Sequence, residues 1–427
     1  MKKISIGALL VALVVVLAGP AQAAFTVGGE NGWSLSTDGI VNIFGAYQTT
    51  SGNDNAAGLL GPTATQKFGV RVGLLPSIIA LNVKAPTTAG VDSNVRVGMY
   101  VNVQNSGNGF QPVAPGGIIT TGSFALNSGN FRYDTSPNID LREFYYTASG
   151  KFGSFLAGRA LNLFQGQNIL NDMTLFTAGV VDMTAVRGGT SLGHIAYGYL
   201  YTNFGPQFRY TTPDLGGFKF AFEVAEPYQI TLESGKQNVP RLEAEFSYAA
   251  TFKGGSVHAW LEGLEQTDTR STGAAFRPSG HNISLGVAPG FNLAVGPVGI
   301  MGSGYYGTGL GMVSAQDGNI FGQNATDAFG NQRTNWGFLA QTTFQATDAI
   351  RLAVNYGACR QNRTDKESET ATGTGVMKSQ EAVVGQVNFN LNKFTQFTLE
   401  YIWAQNVTQG GDKMRSNQVA LGTVFFW

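Results

Sequence analysis

A single cysteine, Cys359, stands in a chain of 427 residues. No intrachain disulfide can form, so an exported fold of this size must hold without covalent staples. Charge is also scarce. Asp, Glu, Lys and Arg make up 13% of the chain, against a usual share of about 25%. The 27 basic and 27 acidic residues cancel, which gives no reason to expect a nucleic-acid or anionic-surface partner. Past the N-terminus no apolar run reaches the ~18 residues that mark a spanning helix. Histidine occurs three times, at His194, His258 and His281. None sits with a Ser or Cys nucleophile on a recognisable strand–turn element. Cys359 lacks the CxxC or HxxxH companion that a zinc site uses. These absences lead us to expect no enzyme, no cofactor and no metal. His258 near Glu262 is the one pair with acid–base character, and two polar side chains on one strand need no catalysis to explain them.

What is present begins with Lys2 and Lys3, an apolar stretch from Ile4 to Leu17, and Pro20 before Ala21-Gln22-Ala23. This is the pattern of a secretory signal peptide. Residues 1–23 are therefore expected to be the signal and 24–427 a single domain. Glycine, at 58 residues, is about twice as frequent as usual. Apolar and polar residues then alternate with the period of a β-strand. Val95, Val97, Met99, Val101 and Val103 interleave with Arg96, Gly98, Tyr100, Asn102 and Gln104. Phe218, Phe220, Phe222 and Val224 interleave with Lys219, Ala221 and Glu223. Leu242 to Tyr248, Val387 to Leu391 and Phe397 to Trp403 repeat the pattern.

The segments are about ten residues long, the length of a tilted strand crossing a bilayer, and their apolar faces are rich in aromatics. Only helices and closed barrels satisfy their backbone hydrogen bonds in lipid. Short connectors, such as Ser149–Gly153, Pro213–Gly217, Ala294–Pro297, Ala346–Asp348 and Asn392–Lys393, alternate with long polar ones. A barrel with turns at one rim and loops at the other requires that rhythm. A soluble sandwich does not. The expected fold is an all-β transmembrane antiparallel barrel of about sixteen strands. They are placed at 39–48, 67–84, 95–104, 140–148, 152–159, 206–212, 217–226, 240–251, 256–266, 281–292, 298–308, 335–345, 349–360, 380–391, 395–407 and 416–427. The alternating run Ile195–Tyr201 falls in a long connector and suggests a small loop hairpin. The last strand, with Val419, Leu421, Thr423, Phe425 and Trp427 on one face, is expected to pair with the first and remove both edges.

At these residues the chain resembles the trimeric Gram-negative general porins. The resemblance rests on Asp140-Leu141-Arg142-Glu143-Phe144-Tyr145-Tyr146, on Gly150-Lys151-Phe152-Gly153 with Leu156-Ala157-Gly158-Arg159, and on Arg209-Tyr210 with Pro213-Asp214-Leu215-Gly216-Gly217-Phe218. It implies an outer-membrane location, a homotrimer, and contact with outer-membrane lipids. It also implies that the loop from Ala160 to about Arg187 folds into the barrel. Phe425 and Trp427 would then serve barrel closure and act as the signal read by the barrel assembly machinery. Two departures stand out. The loop carries only Asp172 and Asp182 as acids, and Ala80 stands where the family has an arginine.

With Phe and Val outward, parity turns Arg96, Arg142, Arg159 and Arg209 inward as a basic wall. Glu223, Glu243, Glu245, Glu262 and Glu400 form an acidic wall, and Asp172 and Asp182 on the loop face the arginines. Such a transverse field would orient polar solutes. The plainer alternative is a set of solvated lumen residues too far apart to define a constriction, and one bulge would reverse a residue's side. The expected function is a water-filled channel for passive diffusion of small hydrophilic solutes and ions. A substrate-selective channel and a structural or adhesive barrel are the alternatives. Gly302 to Gly307 spells a dinucleotide fingerprint, but inside a strand pattern rather than at a strand–turn–helix. Asp317, Asn319, Asn324 and Asp327 suit a calcium loop only in composition. Trp33, Trp336 and Trp403 suit interfacial girdles.

Overall fold

The computed structural model describes residues 25–52, 65–103, 139–181, 191–228, 234–236, 238–270, 280–313 and 325–427. Residues 1–23, expected to be the signal, together with Asp182, Asp317, Asn319 and Asn324, lie outside them. Among the described residues there are nineteen strands in one sheet. They are β1 (Phe25–Gly28), β2 (Ser34–Gly52), β3 (Thr65–Arg71), β4 (Ser77–Lys84), β5 (Asp92–Val101), β6 (Ile139–Gly150), β7 (Gly153–Leu161), β8 (Phe204–Thr211), β9 (Phe218–Ala225), β10 (Ser234–Lys236), β11 (Arg241–Phe252), β12 (Gly255–Arg270), β13 (Gly280–Val295), β14 (Val298–Thr308), β15 (Thr334–Gln345), β16 (Ile350–Gln361), β17 (Met377–Asn390), β18 (Thr395–Thr408) and β19 (Lys413–Phe426). Two short helices, α1 (Gly166–Asn171) and α2 (Asp365–Glu369), lie in connectors.

The strands fill sixteen places around a closed antiparallel barrel. β3 and β4 share one place, both pairing with β2. β1 and β10 are short additions at the ends of β2 and β12. Closure runs from Met414 opposite Gly52 to Phe426 opposite Ile40. Reciprocal hydrogen bonds between Gly39 and Trp427, at 3.0 and 3.1 Å, seal the end of the seam. No edge strand is left at this seam. Trp427 stacks on Phe425, which is exposed on the outer face. The outer face carries exposed Phe, Leu, Val and Tyr on nearly every strand, which is stable only against lipid.

Two irregularities govern the bore. The first is the interruption at residues 72–76, between β3 and β4, where the sequence suggested one continuous strand. Asn42 spans it, accepting from Gly73 N and donating to Leu75 O at 2.8 Å each. Leu74 N and Leu75 N donate to Thr177 O and Leu175 O of the inward loop. The second is a β-bulge. Gly98 lies opposite Glu143 and Met99 opposite Leu141, so Arg142 is the extra residue. Leu141 and Phe144 both stay on the outer face, and both Arg142 and Glu143 turn inward.

Gly422 sits where the seam is tightest, because a Cβ there would overlap the Phe44 ring and the Ile43 carbonyl. Gly422→Val should lower the temperature at which the folded barrel loses its fast migration in a denaturing gel. An unchanged transition would show that closure does not depend on this contact.

Candidate functional site

The connector between β7 and β8 enters the barrel, and its described parts, residues 162–181 and 191–203, are largely buried there. A chain crossing a lumen must find partners for every peptide group it takes out of water. Turns within the loop supply some of them, and the wall supplies others in sequence around the bore. Phe164 N donates to Glu243 on β11 (2.6 Å). Gln165 N and Gln167 N donate to the two oxygens of Glu262 on β12 (2.7 and 2.8 Å). The Gln167 side chain reaches Glu245. Further along, Gln341 on β15 accepts from Met173 N and donates to Asn171 O. Glu400 on β18 accepts from Thr177 Oγ1 (2.7 Å), Ala178 N (3.0 Å) and Gly179 N (3.2 Å). Gln418 on β19 and Gln48 on β2 hold the backbone of Gly179 and Val181.

The returning limb closes onto the first. Asp172 accepts from Thr174 Oγ1 (2.6 Å), Thr174 N (2.9 Å), Tyr199 OH (2.7 Å) and His194 N (3.3 Å). Burial, and then the Asp172 carboxylate, push the Tyr199 phenol well above its ordinary range, so it stays a donor. His194 lies between Tyr197 O and Asn355. The loop backbone passes so close to β16 that a Cβ on Gly357 would overlap Tyr197 O. The run Ile195–Tyr201 is therefore packed against β15 and β16 instead of forming a hairpin. Around it the wall turns apolar inward, with Leu264, Met301, Leu339, Val384 and Ile402 buried against Phe164, Ile169, Leu200 and their neighbours.

The expected acidic wall is thus a set of anchors. Glu243, Glu262 and Glu400 face loop amides, with Glu243 also paired with Arg241. Glu223 pairs with Arg209 at 2.8 Å, and Arg209 also donates to Leu161 O. Asp172 does not face the arginines, because its oxygens are taken within the loop. Arg96 is inward as expected. It bonds to Asp38 (2.8 Å), Glu143 (2.9 Å) and Asn82 (3.0 Å). Arg142 is inward too, bonded to Asp140 at 2.8 Å and lying 5.0 Å from the Tyr100 ring centroid. Arg159 is not. It lies in register with Phe144 and Pro206, on the same parity as Phe155 and Ala157, and so belongs to the outward row. Asp38 escaped sequence reasoning because its partner lies 58 positions away. Its inward parity was the only signal.

Gly302 to Gly307 lies wholly within β14. Asp327 spends its oxygens on Phe329 N, Asn331 and Thr364. The Glu262 carboxylate is held by loop amides, and the His258 ring lies 5.3 Å from that of Trp260 at a tilt of 41°, with no hydrogen bond joining His258 and Glu262. Cys359 faces inward, buried, its Sγ 3.8 Å from Tyr199 O.

A closed sixteen-strand barrel with an apolar belt and a loop folded into its bore defines the class of outer-membrane channels. The chain belongs to the Gram-negative porin family, whose model matches residues 8–409. No curated protein matches it. Among solved structures it is similar to the outer membrane channel DcaP of Acinetobacter baumannii, at 16% identity, 96% of this chain, 100% of that one and a TM-score of 0.64. The anion-selective porin from Comamonas acidovorans gives 14%, 92%, 100% and 0.58. Salmonella typhi OmpF, in complex with daunomycin, gives 11%, 94%, 100% and 0.52. The protein resides in the outer membrane and is a channel for passive diffusion of small solutes.

Glu400→Leu removes the acceptor for two buried loop amides and a hydroxyl. Each orphaned group costs about 1–3 kcal/mol, so the loop should become protease-sensitive near Thr177 while the barrel stays folded. Glu400→Gln, which keeps one acceptor, should be milder. Equal resistance in all three proteins would remove Glu400 as an anchor.

Proposed function

We propose that solutes pass along the wall from β4 to β8, through a narrowed passage of weak ion preference. One observation carries this reading. The wall anchors of Phe164–Val181 lie on β11, β12, β15, β18, β19 and β2, so the loop leans on one side of the bore. The wall from β4 to β8, with the start of β2 beside it, is left with Asp38, Arg96, Arg142, Glu143 and Arg209. Each of these arginines has a carboxylate within hydrogen-bond distance, and Arg96 has two. Paired charges present alternating dipoles to a solute, not a field of one sign. The arrangement favours general hydrophilic traffic over a single substrate. It assigns no residue a catalytic step.

We also propose a homotrimer with the outward face of β6 to β8 in a subunit contact. Arg159 supports this. A cation on the lipid face of a barrel costs about 2–4 kcal/mol near mid-depth, and a neighbouring subunit removes that exposure. Phe425 and Trp427 are the proposed recognition signal for the assembly machinery, and residues 1–23 the proposed signal peptide.

In planar bilayers under a salt gradient, Arg96→Ala should shift the reversal potential toward cations more than Arg142→Ala does, because it frees two carboxylates instead of one. Arg159→Ala should leave the reversal potential unchanged and lower the temperature at which the oligomer dissociates. A selectivity shift in Arg159→Ala would place that residue in the lumen and refute the register.

A further inference from the structure

At the rim of the short turns, beneath the loop, lies a cavity of about 190 Å³, room for several waters or one small anion. Asn171, Asn292, Gln341, Thr343, Gln345 and Arg351 are among its lining residues. Arg351 stands at the start of β16, opposite Gln345 and Asn388. Its position differs from that of the other inward arginines. Arg96, Arg142, Arg209, Arg241, Arg270 and Arg333 all have oxygen acceptors. Arg351 has no ion pair or hydrogen bond among the described residues, and its Nε is shielded from water without an acceptor. The nearest candidates for pairing are spoken for or turned away. Asp172 lines the same cavity, but its oxygens hold Thr174, His194 and Tyr199. Asp348, two residues before Ile350 in the turn, is exposed and forms no ion pair with Arg351.

An unpaired guanidinium at the wall of a part-closed cavity is costly unless something negative joins it. Its planar fork matches carboxylates and other oxyanions. The Thr343 hydroxyl in the same lining offers a second donor. Neither carboxylate at the site competes for the cation, and the neighbouring Asn and Gln side chains hold the loop in place above it.

We propose that this cavity is an anion subsite on the short-turn side of the loop, where Arg351 takes one small carboxylate or oxyanion from the solute stream. It rests on the channel reading, and it adds an anion foothold that the charge-paired passage lacks.

The test uses inorganic phosphate with the full-length protein, Arg351→Gln and Arg351→Lys. Binding to the detergent-solubilised barrel is followed by phosphorus NMR line broadening, and block by phosphate added to either side of a planar bilayer is recorded in parallel. The native protein should broaden the phosphate line saturably. Block should be stronger from the short-turn side. Arg351→Gln should weaken binding at least about tenfold, the loss of one charge-assisted bond, with Arg351→Lys between the two. Equal broadening by the native protein and Arg351→Gln, or none by the native protein, overturns the subsite. A barrel that binds phosphate through Arg351 yet never conducts keeps the subsite and overturns the channel reading. The two failures are therefore distinguishable.

Discussion

The structure depends on one constraint: a polypeptide that enters a barrel must have the peptide groups it cannot satisfy itself met by the barrel wall. Glu243, Glu262 and Glu400 meet amides of Phe164, Gln165, Gln167, Ala178 and Gly179 with carboxylate oxygens, Gln341, Gln418 and Gln48 meet backbone groups of Asn171, Met173, Gly179 and Val181 with amides, and turns within the loop meet others. Hydrogen bonds from backbone N–H to a carboxylate are stronger than neutral ones. Leaving any of these groups unmet in a shielded bore would cost more than the bond itself contributes. The loop's path is therefore set by where the wall places its acceptors.

That path accounts for other features of the wall. Inward residues are polar where they meet water or loop backbone, and apolar where loop side chains press against them, as at Leu264, Leu339 and Ile402. The interruption between β3 and β4 gives the loop a further backbone partner at Leu74 and Leu75. The barrel thus has two apolar regions: an outer belt facing lipid, and an inner cluster that fastens the loop. The passage is what remains beside it.

Barrel, strand count and closure were legible in the sequence because period-two alternation and the rhythm of connectors are local signals that each hairpin repeats. The site was legible only in part. Parity finds which residues face inward, but a glutamate facing water and one facing a loop amide look identical in a sequence. Hence Glu262 and Glu400 read as a solvated wall. The interruption of alternation by inward Leu264, Val384 and Ile402 was the available sign that something apolar would lie against them. Arg142 faces the lumen as expected but for another reason: it shares the parity of outward Phe144 and Tyr146, and only the bulge turns it inward. Arg159 was misplaced because its own strand sets it with Phe155 and Ala157. Pairings such as Arg96 with Asp38 reach across an intervening strand, β4, and so depend on the register of two neighbouring strand pairs.

Hydrogen–deuterium exchange of the loop amides tests the central claim most directly. If wall carboxylates hold the loop across the bore, the amides of Phe164, Gln165, Gln167, Ala178 and Gly179 should exchange nearly as slowly as those of the flanking strands. Exchange of these amides as fast as that of a solvent-exposed loop would contradict it.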